Sequence, residues 1–174
     1  MLTIGGGIAP YTVTLTGTLP TGLTFNAATR TFSGTPTQAG TFNLSVTVTD
    51  STGGTAATVT NAYTLTIATP TLAMTPAAGA LPAGTGGVAY SQTFTASNGI
   101  APYTYAVSAG ALPPGLTLNT GTGALTGIPT AVGAFTFSIR ATDSTSGTAG
   151  TVTIAYTLTL SAPTITINPA TLPN

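Results

Sequence analysis

The chain has no cysteine, histidine, lysine, glutamate or tryptophan, and Arg30, Arg140, Asp50 and Asp143 are its entire complement of charge among 174 residues. Charged residues make up 2% of the sequence, against roughly 25% in ordinary soluble domains. Without cysteine there is neither a disulfide framework nor a thiolate metal site, and cysteine usage does not decide the redox compartment. Without histidine, lysine or glutamate, most of the usual proton-transfer groups are missing. A serine or threonine nucleophile therefore has no histidine or lysine base beside it. The lack of lysine also excludes isopeptide staples, and the lack of cysteine excludes thioester adhesion. Two arginines cannot form the basic patch that nucleic acid requires. No enzyme, no cofactor and no nucleic-acid partner is expected.

Long apolar runs are missing too. The stretch from Thr71 to Tyr90 is interrupted by Pro76, Pro82 and several glycines, which makes a poor membrane span, so membrane insertion is not expected. Met1 to Gly7 shows no basic n-region, apolar h-region or cleavage site, so no signal peptide is read there.

What the chain does contain is threonine, about a quarter of all residues, with 22 glycines, 13 prolines and 42% apolar residues. Disorder calls for low hydrophobicity and high net charge, whereas the net charge here is zero, so a folded core is expected. Threonine favours strands, while glycine and proline favour turns. No window places apolar residues at helical spacing. The fold class is all-β.

The chain also repeats itself. Gly7-Ile8-Ala9-Pro10-Tyr11 recurs 92 residues later as Gly99-Ile100-Ala101-Pro102-Tyr103. One residue is then inserted, and at an offset of 93 Leu19-Pro20-Thr21-Gly22-Leu23 meets Leu112-Pro113-Pro114-Gly115-Leu116. The same offset relates Ser33-Gly34-Thr35-Pro36-Thr37 to Thr126-Gly127-Ile128-Pro129-Thr130, and Thr49-Asp50-Ser51 to Thr142-Asp143-Ser144. A period of this length suits a whole sandwich of about 100 residues, not a solenoid unit. Phe42, Leu44, Val46 and Val48 alternate with polar residues, as do Phe135, Phe137 and Ile139, the period of two of a half-buried strand. Tyr63, Leu65 and Ile67, with their counterparts Tyr156, Leu158 and Leu160, read as core-facing. Asn119 to Gly123 reads as the turn of a hairpin. Because each copy holds one aspartate, a paired-carboxylate site within a copy is excluded.

Taken together, these motifs resemble the bacterial Putative Ig domain family, related to cadherin-like and dystroglycan-type repeats. The resemblance covers nearly the whole chain and rests on Ala101-Pro102-Tyr103, Leu112 to Leu116, Gly127-Ile128-Pro129-Thr130, Gly133 and Ala141-Thr142-Asp143-Ser144. It implies tandem immunoglobulin-like β-sandwich (Greek-key) domains. It also implies arrays in large secreted surface proteins, adhesins, secreted hydrolases or phage structural proteins, and so an extracellular, cell-surface or virion location. The expected domains are 1–68, an Ig-like repeat lacking its first strand; 69–161, a complete repeat; and 162–174, the first strand of a following repeat or a donor strand for a neighbouring copy. Leu2-Thr3-Ile4 aligns with Phe94-Thr95-Ala96, and Pro169 and Leu172-Pro173 echo Pro76 and Leu81-Pro82.

Cadherin-like relatives bind calcium through clustered acidic side chains, which makes Asp50 and Asp143 calcium candidates. One aspartate per copy falls short of the six to eight oxygen ligands calcium takes, so each is read as capping its own Asp-Ser-Thr turn. Tyr11, Tyr63, Tyr103 and Tyr156 read as core or corner residues. Tyr90 and Tyr105 are the candidates for a surface role in binding a ligand such as a sugar. Two functions follow. One is a non-enzymatic structural repeat of a filament, surface layer, stalk or virion appendage, assembling head to tail by strand addition through Pro163, Thr164, Ile165, Thr166 and Ile167. Its partners are further copies or neighbouring repeats. The alternative is an adhesion or carbohydrate-binding accessory module whose partner is a glycan or host surface.

Overall fold

The structure is a computed structural model that describes residues 1–166. It contains fifteen strands and, among the described residues, no helix; none is therefore long and apolar enough to cross a membrane. The chain folds into two units, Met1–Pro70 with Thr145–Gly150, and Thr71–Ser144 with the chain from Thr151 onward.

The first unit is built from β1 (Thr12–Thr16), β2 (Leu23–Asn26), β3 (Thr31–Gly34), β4 (Gly40–Thr49) and β5 (Thr58–Ile67). β4 lies between β1 and β5 in an antiparallel sheet, and β2 and β3 form a hairpin. β4 buries Leu44 and Val46 on one face while Thr41 and Asn43 turn outward, as strand alternation requires.

The second unit adds four short strands before the equivalent frame: β6 (Ala73–Thr75), β7 (Gly79–Ala80), β8 (Gly84–Thr85) and β9 (Tyr90–Thr93). There follow β10 (Thr95–Ser97), β11 (Thr104–Gly110), β12 (Leu116–Leu118), β13 (Ala124–Gly127), β14 (Gly133–Thr142) and β15 (Thr151–Ser161). One sheet runs β11-β14-β15-β7, with β8 also on β15; the other strands pair as β12-β13-β9 and β10-β6. Phe94, Leu125, Phe137, Ile139, Tyr156 and Leu158 fill the space between them, all buried. The Phe94 and Tyr156 rings lie 4.9 Å apart and tilted, a favoured aromatic arrangement.

The repeated Leu-Pro-x-Gly-Leu and Gly-x-Pro motifs have one steric cause. They place Leu23 opposite Gly34 and Leu116 opposite Gly127 in the two hairpins. A Cβ on Gly127 would run into the carbonyl oxygen of Gly115, and one on Gly34 into that of Gly22. Only glycine permits so close a backbone approach. The Asn119 turn follows the expected hairpin: its Oδ1 accepts from the N–H groups of Gly121 and Thr122 at 3.0 Å, an Asx turn.

Candidate assembly site

The two copies differ most at their last strand. In the second unit the segment from Leu72 to Tyr90 covers β15 and closes the core. β7 and β8 lie parallel to β15, pairing Gly79 with Tyr156 and Gly84 with Leu160. The Leu81 N–H donates to the Thr157 carbonyl at 2.9 Å, and the Tyr156 hydroxyl donates to the Pro76 carbonyl at 2.7 Å. Met74, Leu81 and Tyr90 are buried in the cluster this encloses.

In the first unit, β5 pairs with β4, and among the described residues no strand lies along its other edge. A cavity of about 350 Å³ opens there, lined by Leu2, Leu23, Phe32, Leu44, Tyr63 and Leu65. By the repeat these correspond to Phe94, Leu116, Leu125, Phe137, Tyr156 and Leu158, every one of them buried. The contrast is large: Phe32 is 38% exposed where Leu125 is 0%, and Tyr63 is 43% exposed where Tyr156 is 1%. This corrects the expectation that Tyr63 is core-facing. Its phase along β5 is that of a core residue, but among the described residues no segment lies over it as the one from Leu72 lies over Tyr156.

The converse correction concerns Tyr90 and Tyr105, expected at the surface and found buried at 9% and 6% exposure. Burial raises the Tyr90 phenol above its ordinary range, and its hydroxyl donates to the Pro82 carbonyl at 3.0 Å. The Tyr105 hydroxyl accepts from the Ala96 N–H at 2.9 Å. Neither ring offers a face on which a sugar could stack. Tyr11 and Tyr103 sit at corners, their hydroxyls donating to the Gly6 carbonyl at 2.7 Å and the Gly99 carbonyl at 2.9 Å.

Asp50 accepts from the N–H groups of Thr52 at 3.3 Å, Ala57 at 2.8 Å and Ile8 at 3.1 Å, and from the Thr52 hydroxyl at 2.6 Å. The Thr52 hydroxyl and then the Ile8 N–H are foremost in holding its carboxyl down to about 2, because hydrogen bonds to the charged form favour it. The bond to Ile8 spans 42 positions and ties the turn to the Gly-Ile-Ala-Pro loop, a role beyond capping that sequence spacing does not announce. Asp143 repeats it by accepting from the Ile100 N–H at 3.1 Å. Carboxylate oxygens that face several N–H donors make a poor calcium site, and among the described residues no cluster of three metal-ligating side chains occurs.

Of the expected donor residues, Pro163, Thr164, Ile165 and Thr166 are exposed and outside any strand, Ile165 at 88%. Ile167 lies outside the described residues. The residues that line the groove had no sequence signature of their own, since an uncovered core position and a covered one both carry an apolar residue at the same phase.

A β1-β4-β5 sheet with the β2-β3 hairpin, repeated in the second unit as β11-β14-β15 with β12-β13, and a corner tyrosine in each define a pair of immunoglobulin-like modules. The Putative Ig domain family matches residues 2–68 and again 69–161, and the chain belongs to that family. No curated protein matches the chain. Among solved structures it is similar to a protocadherin gammaB7 EC3-6 cis-dimer structure, at 16% identity and TM-score 0.43, covering 90% of this chain and 42% of that one. It is similar also to the protocadherin GammaB4 extracellular domain, at 16% identity and TM-score 0.44, covering 86% of this chain and 27% of that one. An endo-fucoidan hydrolase from glycoside hydrolase family 107 aligns at 19% identity and TM-score 0.43, covering 88% of this chain and 24% of that one. The chain thus spans less than half the length of each.

Proposed function

We propose that the chain is a non-enzymatic structural repeat of an extracellular assembly, such as a filament, surface layer, stalk or virion appendage, whose partners are further repeats or copies. The observation that carries this reading is the way its polarity is supplied. Cross-strand hydroxyl pairs, Thr47 with Thr60 at 2.8 Å, Thr49 with Thr58 at 3.3 Å and Thr24 with Ser33 at 3.2 Å, stand where other sheets carry ion pairs. Natural sheet edges are guarded by charge, lysine above all, and net charge keeps proteins apart. A chain with four charged residues and no lysine has neither guard, which suits a module that lives packed against its own kind. The burial of Tyr90 and Tyr105 removes the two tyrosines that were the candidates for glycan recognition.

Electron microscopy of the purified chain tests the proposal, with ordered fibres or sheets expected whose yield is unchanged between low and high salt. Dispersed particles together with saturable binding on a glycan array would overturn it.

A further inference from the structure

Gly99 is fixed by its surroundings. A Cβ there would lie 2.8 Å from the Oδ2 atom of Asp143 and 3.0 Å from the Cδ1 atom of Leu72, so the loop that hands the Ile100 N–H to Asp143 accepts glycine and nothing larger. The residue before it is Asn98, exposed and at a φ of 66°, a left-handed position that asparagine tolerates better than most side chains. At the repeat offset the first unit has Gly6 in this place, at a φ of 75°. Asparagine in place of glycine makes an asparagine-glycine pair, the only one in the sequence. Such a pair is chemically labile, because glycine has no side chain to keep its nitrogen away from the asparagine carboxamide. Asn26, Asn43, Asn61 and Asn119 precede alanine, leucine, alanine and threonine, and Asn168 precedes a proline, which has no N–H to lose.

We propose that Asn98 is a site of spontaneous modification, converted to an aspartyl or isoaspartyl residue by ring closure onto Gly99, and that the Tyr103 hydroxyl sets the rate by holding the Gly99 N–H. In the closing step the Gly99 nitrogen loses its proton to water and bonds to the Asn98 Cγ. The Cγ–Nδ2 bond breaks, and Nδ2 leaves as ammonia with a proton taken from water. Water then opens the succinimide ring at either carbonyl carbon, breaking that carbon's bond to the Gly99 nitrogen, which regains a proton. Opening at Cγ leaves an aspartyl residue, and opening at the main-chain carbon leaves an isoaspartyl residue with one more carbon in the backbone. In the folded loop the nitrogen is engaged. Its N–H donates to the Tyr103 hydroxyl at 3.1 Å, and that hydroxyl donates to the Gly99 carbonyl at 2.9 Å. Ring closure therefore waits for a local opening that frees the N–H. Conversion then loosens the loop: an isoaspartyl link displaces Gly99 and Ile100 from Tyr103 and Asp143, and either product adds a carboxylate to a loop that already packs against the carboxylate of Asp143.

Prolonged incubation of the full chain in warm neutral buffer, followed by ion exchange and peptide mass spectrometry, tests the proposal. Because the net charge is zero, a single new carboxylate separates converted from unconverted chain. Asn98 should convert ahead of every other asparagine, with isoaspartyl among the products, and Asn98→Gly should abolish the early acidic species. The converted fraction should unfold at a lower temperature in the transition of the second unit. Tyr103→Phe should speed conversion by about two- to tenfold, the effect of one hydrogen bond, whereas Tyr11→Phe, which removes the corner bond of the first unit, should leave the rate unchanged. Hydrogen exchange in Tyr103→Phe should quicken at Gly99 and stay as it was along β14. An Asn98 that outlasts the other asparagines overturns the proposal, and so does a Tyr103→Phe chain that converts at the unaltered rate. Faster conversion accompanied by faster exchange throughout β14 also overturns it, since unfolding of the whole unit is then the gate and the Tyr103 hydroxyl is not.

Discussion

At the scale of single residues, Asp50 and Tyr156 couple stability to pH at opposite ends of the range. Asp50 titrates at about 2 when folded, against an ordinary 3.8, so its ionised form is held by the native loop. That contribution is present above about pH 4 and lost as the pH falls toward 2. An acid titration of the melting temperature should show the first unit weakening across that window, and Asp50→Asn should flatten the response. Tyr156 behaves in the opposite sense. Burial pushes its phenol up to about 12 from 10, so its stabilisation is complete below about pH 10 and is lost as the pH rises through about 12. Alkaline unfolding followed at the tyrosine absorbance should give this step, and Tyr156→Phe should remove it at a cost of about 1 kcal/mol for the bond to Pro76. Arg30 is a third case. It holds φ at 60° where its counterpart Gly123 holds 73°, and a side chain in that region costs about 1–2 kcal/mol. Arg30→Gly should raise the stability of the first unit in urea denaturation. Gly123→Ala should lower that of the second by more than this, because the new Cβ would strike the Phe94 carbonyl oxygen.

At the scale of elements, β5 and β15 show how far one pattern can lead. Both alternate threonine with apolar residues, and each pairs over ten residues with a ten-residue partner, β4 or β14. Yet β5 is exposed over most of its length, while β15 buries Tyr156, Leu158 and Leu160. Alternation reports which side chains share a face, and another element must arrive for that face to become interior. The hairpins show the same split. Leu125→Ala in β13 should cost about 2–5 kcal/mol, as in a sealed core. Phe32→Ala, at the same position of β3, loses contact with the Phe25 ring at 4.7 Å but no enclosed packing, and should cost only about 1 kcal/mol. Equilibrium denaturation of the two variants checks the difference.

At the scale of the whole molecule, the two units should not melt together. The first has an open groove and, among the described residues, an unpaired strand edge, and the second has a closed core. Calorimetry should therefore resolve two transitions, with the first unit's at the lower temperature. Hydrogen exchange should agree, with the amides of β5 exchanging well before those of β15, since little buried apolar surface holds that strand against local opening. With four charges and hydroxyls in place of ion pairs, neither transition should move appreciably with salt, because there is little to screen. Added calcium should leave both unchanged, since the aspartates are committed to backbone donors.

Composition, period and motif spacing by themselves determined the all-β class, the duplication, the hairpins, the corner tyrosines and the lack of histidine, lysine, glutamate and cysteine. Each of these depends on local sterics or on the presence of a residue type, and both are written along the chain. Only the tertiary structure decided that Tyr63 is open while Tyr90 and Tyr105 are enclosed, that Asp50 reaches across to Ile8, and that the first unit keeps an apolar groove where the second is sealed. Burial is a property of pairs of surfaces. Whether a given apolar face is core or interface depends on which segment lies over it, and that segment can be distant in sequence or belong to another molecule.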